Sequence, residues 1–263
     1  SSAASDVYKR QDMNFARKDA AGAALKAIQT IELTKQGKTV HPRVGDETFP
    51  DFRLDQCTQC KRCTEECPFG VLEEDERGTP SIHEARCRGC GVCMGACPVR
   101  IISFKDYSVD IIGDMIKSIE IPDEFEEKPR ILIFACENDT VPALDMMALE
   151  RIKYSPYVRI IPLRCLGGVN LVWVSDALSR GFDGVMFMGC QYGDDYQCHF
   201  IKGSELANVR LSKVEETLSR LMLEPERIRQ YEVSMNDSRK VAELIETFAA
   251  DLEDYGPNPF KGM

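Results

Sequence analysis

Eight cysteines between Cys57 and Cys97 fall in two runs, CTQCKRCTEECP and CRGCGVCMGACP, separated by the segment 69–86. Each run reads C-x2-C-x2-C-x3-C-P. Three soft thiolates two residues apart wrap one face of an iron–sulfur cubane but do not reach its fourth iron. The last cysteine of the other run closes that corner, so the two clusters interlock. The spacing therefore assigns Cys57, Cys60, Cys63 and Cys97 to one [4Fe-4S] cluster. Cys87, Cys90, Cys93 and Cys67 fall to the second. Pro68 and Pro98 turn the chain away after each crossing ligand, where a missing N–H costs nothing. Gly89, Gly91 and Gly95 are expected to leave room for backbone amides directed at sulfur. Zinc sites pair C-x2-C motifs across a longer gap and do not place four cysteines in one tight run twice over.

The other four of the 12 cysteines stand at telling places. Cys136 follows ILIFA, Cys165 comes two residues after VRIIPL, and Cys190 follows GVMFMG. All three are expected at the carboxyl ends of parallel strands, the edge where open α/β sheets place their sites. Cys198, in the loop GCQYGDDYQCHFIKG, is placed to fold back towards them. Four thiols converging on one rim suit a [2Fe-2S] cluster, and zinc accepts the same tetrahedral set. Buried thiols used as small core residues are the third reading. His83 reads as a surface or packing residue. His199, with Asp194 and Asp195, reads as a loop hydrogen-bonder, because a Rieske-type centre needs two histidines on one iron. No side chain reads as a general acid, base or nucleophile.

The elements that must position these groups follow from the rest of the 263 residues. The opening SSAASDVYKRQ, residues 1–11, resembles a translated sequencing-adapter tail and is expected to lie outside the fold. Residues 14–35 read as a helix with Ala20, Ala24, Ala27 and Ile31 on one small face. The region 12–50 is expected to end a preceding domain and link into the next. A compact α+β ferredoxin-like two-cluster domain is expected over 51–108. A helix and an acidic linker fill 109–128, with Ile111, Ile112, Met115, Ile116 and Ile119 on one side of that helix. From 129 to 263 the pattern alternates: strands at ILIFA, VRIIPL, GVMFMG and IRQYEVS, and helices near 142–151, 170–180, 204–223 and 238–253. In the third of these, Ala207, Leu211, Val214, Leu218 and Leu221 carry the apolar spacing. Strands separated by helices imply right-handed crossovers and an α/β parallel-sheet domain.

Composition narrows the function classes. A hydrophobic fraction of 43% sustains a core, and a net charge of −10 argues against a nucleic-acid footprint, which needs a basic face. No apolar run reaches the length of a membrane span. Thiolate ligands point to a reducing compartment, the cytoplasm.

The segments ACENDTVPALD, RIIPLRCLGGVN and DGVMFMGCQYGDDYQCHFIKGSELANVRL resemble the delta subunit of methyl-viologen-reducing hydrogenase. A two-cluster insert directly before such a domain resembles the C-terminal region of the A-type flavoproteins of heterodisulfide reductase. Within that group, CTQCKRCTEECPFG, GDDYQCHFIKGSELAN and GPNPFKGM resemble the flavoproteins of quinone-interacting membrane-bound oxidoreductases in sulfate reducers. The resemblance implies an electron-transfer component of an oxidoreductase complex, with FAD on a domain preceding residue 14. No G-x-G-x-x-G occurs in this chain. Implied partners are a flavoprotein subunit, a haem-bearing membrane subunit and adenylylsulfate reductase, with the complex held peripherally on the inner membrane face. The same module could serve a hydrogenase or heterodisulfide reductase complex. A docking scaffold built around a structural four-cysteine zinc is the rival from another class. The hydrogenase pattern carries a further cysteine three positions after the first, where this chain has Asp139.

Overall fold

The computed structural model describes residues 48–122, 129–193, 198–214, 218 and 222–261, together with scattered helical positions between 13 and 35. Residues 1–12, the acidic linker at 123–128, Asp194, Asp195 and Leu221 lie outside the described residues. At the scattered positions the expected helix is present, but Ala20, Ala24, Ala27 and Ile31 are exposed.

The two cysteine runs fold as a near-repeat. Strands β1 (Asp51–Phe52) and β4 (Ile102–Ser103) pair antiparallel, as do β2 (Leu72–Glu74) and β3 (Pro80–Ile82). Short helices α1 (Arg62–Glu65) and α2 (Val92–Ala96) follow the second cysteine of each run. Left-handed backbone recurs at matching places: Gln59 and Gly89, Lys61 and Gly91, Gly70 and Arg100. Glycine takes this conformation freely, whereas Gln59 and Lys61 hold it at about 1–2 kcal/mol each. The acidic turn between β2 and β3 is tied by Asp75, whose carboxylate accepts from the amides of Arg77 and Thr79 at 2.9 and 2.7 Å.

Helix α3 (Val109–Ser118) is capped by Ser108, whose hydroxyl accepts from the Ile111 amide at 3.1 Å. Only part of its expected apolar side turns inward. Ile112 and Ile116 are buried, whereas Ile111 and Met115 are each 40% exposed. Helical spacing gives a stripe, and the neighbour's width decides how much of it is covered.

The C-terminal part is the expected α/β unit. Strands β5 (Ile131–Cys136), β6 (Val158–Leu163), β7 (Gly184–Cys190) and β8 (Ile228–Val233) form one parallel sheet in the order β6-β5-β7-β8. The central pair reads as near-continuous apolar runs because both faces are covered. Alternation along β5 splits the interior in two. Ile131, Ile133 and Ala135 face helices α4 (Thr140–Leu149) and α7 (Ser238–Tyr255). Leu132 and Phe134 face helix α5 (Leu171–Ser179), helix α6 (Gly203–Leu211), α3 and the cysteine runs. On that side Phe134 stacks between Trp173 and Phe187, with ring centroids at 5.7 and 5.0 Å.

Helix α6 is interrupted by a turn at Ser212 and Lys213, and helical backbone resumes at Val214 and at Leu218. At the turn the Ser212 hydroxyl donates back to the Val209 carbonyl at 2.8 Å, a bond that competes with the helical ladder. Val214 and Leu218 still reach the core. The two halves share one core, since Met94, Ile102, Phe104 and Ile116 join Phe134 and Trp173 in a single cluster. The Trp173 indole donates to the Val109 carbonyl at 2.9 Å, tying α5 to α3.

The C-terminal segment is fastened by Asp183. Its carboxylate accepts from the Arg130 and Asn258 amides at 2.7 and 2.8 Å and meets Lys261 Nζ at 2.6 Å, with both charged side chains buried. Losing one partner of a buried pair strands the other charge in apolar surroundings. Asp183→Ala is expected to lower stability by about 3–5 kcal/mol, seen as a lower urea midpoint for the purified protein; an unchanged midpoint would show that the terminal segment is not held by this carboxylate.

Candidate iron–sulfur sites

In the cysteine runs, Cys57, Cys60, Cys63 and Cys97 line one cavity. Cys67, Cys87, Cys90 and Cys93 line another. Each cavity thus collects three cysteines of one run and the last of the other, the crossed sets that the spacing assigns. Cys60 is exposed and Cys57 half-buried, whereas Cys90 and Cys93 are buried. Gly89 does present its amide to sulfur, donating to Cys87 Sγ at 3.4 Å, and Gln59 does the same for Cys57 at 3.4 Å.

Burial dominates the acid–base state of these thiols. It pushes Cys63 up to about 11, with Cys97 and Cys60 adding to the rise. It pushes Cys90 up to about 12 and Cys93 well above the ordinary thiol range. A thiolate at such depth needs a cation beside it, and a coordinated metal supplies one by deprotonating the thiol outright.

The strand order reverses between β5 and β7, the crevice where open α/β sheets place ligands. Cys136 ends β5 and Cys190 ends β7, and their sulfurs stand 3.5 Å apart. An edge of about 3.8 Å follows from a tetrahedron of 2.3 Å metal–sulfur bonds, so this pair fits a shared metal ion. Cys198 contacts Cys190, and Cys165 contacts Cys198. All four thiols are at most 2% exposed. Hydrogen bonding to Cys190 holds Cys136 below the ordinary thiol range, and hydrogen bonding to Cys165, then to Cys190, does the same for Cys198. Those same bonds, then burial, push Cys190 and Cys165 up. Asn138 donates to Cys136 Sγ from its backbone at 3.5 Å and its side chain at 3.7 Å, and the Gly167 amide donates to Cys165 Sγ at 3.3 Å. Donors of this kind fix a ligand's orientation and tune the metal it holds.

Several neighbours carry no cysteine-like signal in the sequence. Gly203 opens α6 against the sulfurs, and a Cβ there would collide with Cys165 Sγ and lie 3.3 Å from Cys198 Sγ. Gly95, expected to free an amide for sulfur, instead admits the opposite backbone: a Cβ on it would sit 2.6 Å from the Gly168 carbonyl carbon. Arg164 is buried, lies over the Phe104 and Tyr107 rings at 4.7 and 4.6 Å, and donates to the Gly89 carbonyl at 3.4 Å. Asp139 is buried and accepts from the Met235 amide at 3.2 Å. His83 pairs with Glu73 at 2.8 Å on the surface, and His199 is exposed beside Phe200. Neither histidine joins a thiol set.

A parallel sheet with four thiols at its switch point, joined to two crossed cysteine cavities, defines an iron–sulfur electron-transfer module. Residues 131–256 match the family described as methyl-viologen-reducing hydrogenase, delta subunit, and residues 56–102 match a 4Fe-4S dicluster domain. The chain is 35% identical over 136 residues to the D-type iron-sulfur subunit of the F420-non-reducing hydrogenase of Archaeoglobus profundus, covering 97% of that protein and 52% of this chain. It belongs to the hydrogenase delta-subunit family. It is also 29% identical over 231 residues to the A-type subunit of the Ferredoxin/F(420)H(2)-dependent CoB-CoM heterodisulfide reductase of Methanosarcina acetivorans. That match takes in 88% of this chain, which spans only 28% of the relative's length. The dicluster part resembles the pyruvate synthase protein PorD of Methanocaldococcus jannaschii, 41% identical over 69 residues, or 26% of this chain and 80% of that protein. No described helix is long and apolar enough to cross a membrane.

Two outcomes follow for the thiols. Cys67→Ser is expected to disturb the cluster of the second run, and Cys97→Ser that of the first, read as loss of one reduced EPR signal in each variant. Damage confined to the variant's own run would overturn the crossed assignment. Gly203→Ala drives a methyl group into Cys165 Sγ, so it is expected to empty the four-thiol site while sparing the two cubanes, as metal analysis would record.

Proposed function

We propose that Cys57, Cys60, Cys63 and Cys97 hold one [4Fe-4S] cluster, that Cys67, Cys87, Cys90 and Cys93 hold a second, and that Cys136, Cys165, Cys190 and Cys198 hold a [2Fe-2S] cluster. Such clusters supply one-electron storage at potentials tuned by burial and hydrogen bonds to sulfur. The chain's own contribution is ligation, exclusion of water and close spacing. One observation carries this reading. Cys90 of the second cavity and Cys165 of the four-thiol set belong to the same apolar cluster, with Val92 and Phe200 between the two halves. The three sets therefore form a series from the exposed Cys60 to the buried sheet edge.

In this reading the chain corresponds to the C-terminal part of the B-type flavoprotein of a quinone-interacting membrane-bound oxidoreductase. It passes electrons between membrane quinol, FAD on a preceding domain and adenylylsulfate reductase in sulfate respiration. The complex sits at the inner membrane face through its haem-bearing subunit. The segments 12–50, 51–108, 109–128 and 129–263 serve respectively as the end of that flavin domain, the dicluster domain, a connector and the delta-subunit-like domain. A second reading is an electron-transfer module of a hydrogenase or heterodisulfide reductase complex, and it is the one the names of the relatives favour.

The test is metal and sulfide analysis of the full chain after anaerobic reconstitution. About ten irons are expected, about eight in the cubanes and about two at the sheet edge. Fewer than about four would overturn the cubanes. Zinc without labile sulfide at the four thiols would favour a docking scaffold. Isolation of the native complex then separates the two redox readings: haem-bearing membrane proteins in it support the first, and a hydrogenase partner supports the second.

A further inference from the structure

The geometry points to Arg210 as the positioning residue that sets the placement of the second cubane site against the four-thiol site, and with it the electronic coupling between them. This rests on the cluster assignments proposed above. Arg210 lies on α6, and its side chain is 13% exposed. One end of its guanidinium, Nη1, donates to the Gly167 carbonyl and, at 3.3 Å, to that of Val169. The other end, Nη2, meets Glu66 Oε2 and donates to the Val92 carbonyl at 3.4 Å.

Three of the four acceptors lie within two residues of a proposed ligand. Glu66 precedes Cys67, and Val92 precedes Cys93. Gly167 is the residue whose amide donates to Cys165 Sγ. A single planar cation thus touches the chain beside two ligands of the second cubane and beside one of the sheet-edge centre. A guanidinium presents five donors in a rigid fork, a reach that a lysine ammonium does not reproduce. The surroundings are shaped to admit it: a Cβ on Gly95 would stand 2.5 Å from Nη1. The backbones it bridges are themselves in contact, since a Cβ on Gly168 would stand 3.1 Å from the Gly91 carbonyl oxygen. The Arg210–Glu66 charges are largely removed from water, so the bond is stronger than a surface pair and costly to break singly.

The experiment uses the full chain reconstituted anaerobically with iron and sulfide, fully reduced, and read by EPR. In the parent protein, spin–spin splitting between the second cubane and the sheet-edge centre is expected. Arg210→Met is expected to keep the iron and sulfide content and the separate spectrum of each centre, and to lose the splitting. Arg210→Lys is expected not to restore it, because charge without the fork does not hold both loops. Should Arg210→Met fail to fold, the near-isosteric Glu66→Gln decides, with a reduced splitting expected. Splitting unchanged in a folded variant overturns the role of Arg210 and leaves the cluster assignments standing, as does a parent protein with iron at all three sites and no splitting. A parent protein without iron at the four thiols overturns both.

Discussion

Close backbone contact between two halves of the chain is the constraint on which the rest of this structure depends. Helix α2, which carries Cys93, meets the loop after Cys165 where Gly95 faces Gly168 and where Gly167 lies against the Val92 side chain. A Cβ on Gly95, Gly167 or Gly168 would hold the halves apart. Because these positions are glycines, the second cysteine cavity rests directly on the edge of the parallel sheet, and Cys90 and Cys165 share one apolar cluster. Arg210 satisfies carbonyls on both sides of the contact, Arg164 reaches across it to Gly89, and the Trp173 indole meets the Val109 carbonyl. Buried carbonyls at such a junction require donors, and these three side chains supply them.

Sulfur burial is graded along the molecule. Cys60 is exposed at one end, while the four thiols at the sheet edge are almost wholly enclosed. Low dielectric disfavours thiolate, so burial raises Cys63, Cys90 and Cys93 above the ordinary thiol range. At the sheet edge the thiols hydrogen-bond among themselves, which holds Cys136 and Cys198 below the ordinary thiol range. Amide donors to Cys57, Cys87, Cys136 and Cys165 repeat one local device in four loops, each from the residue two positions on.

The sheet gives this arrangement its rigidity. Both faces of β5 are covered, one by α4 and α7, the other by α5, α6 and the cysteine runs. The thiols are thereby held at the ends of elements packed on both sides. Sites built on strands and helices hold tighter geometry than sites on loops. Two are exceptions: Cys165 lies two residues beyond β6, at the start of the turn Leu166–Gly168, and Cys198 is a loop residue bridged antiparallel to Ile201 and placed by its contact with the α6 start.

The cysteine spacing by itself grouped the eight thiols into the two crossed sets that line the two cavities, because three cysteines two residues apart can turn only one face to a common centre. Apolar runs alternating with helical stripes likewise determined a parallel sheet, and strand-end position singled out Cys136, Cys165 and Cys190. Local chemistry is written in local sequence. The strand order β6-β5-β7-β8, which brings Cys136 and Cys190 to 3.5 Å, was decided only by tertiary structure. So was the inward choice of Ile112 over Ile111, and the use of Gly95 and Gly203 as close-contact points rather than as loop punctuation. Arg164 and Arg210 had no signal of any kind in the chain. Their partners lie far away in sequence and are chosen by which carbonyls the folded junction leaves to be satisfied, a quantity that exists only once both halves have met.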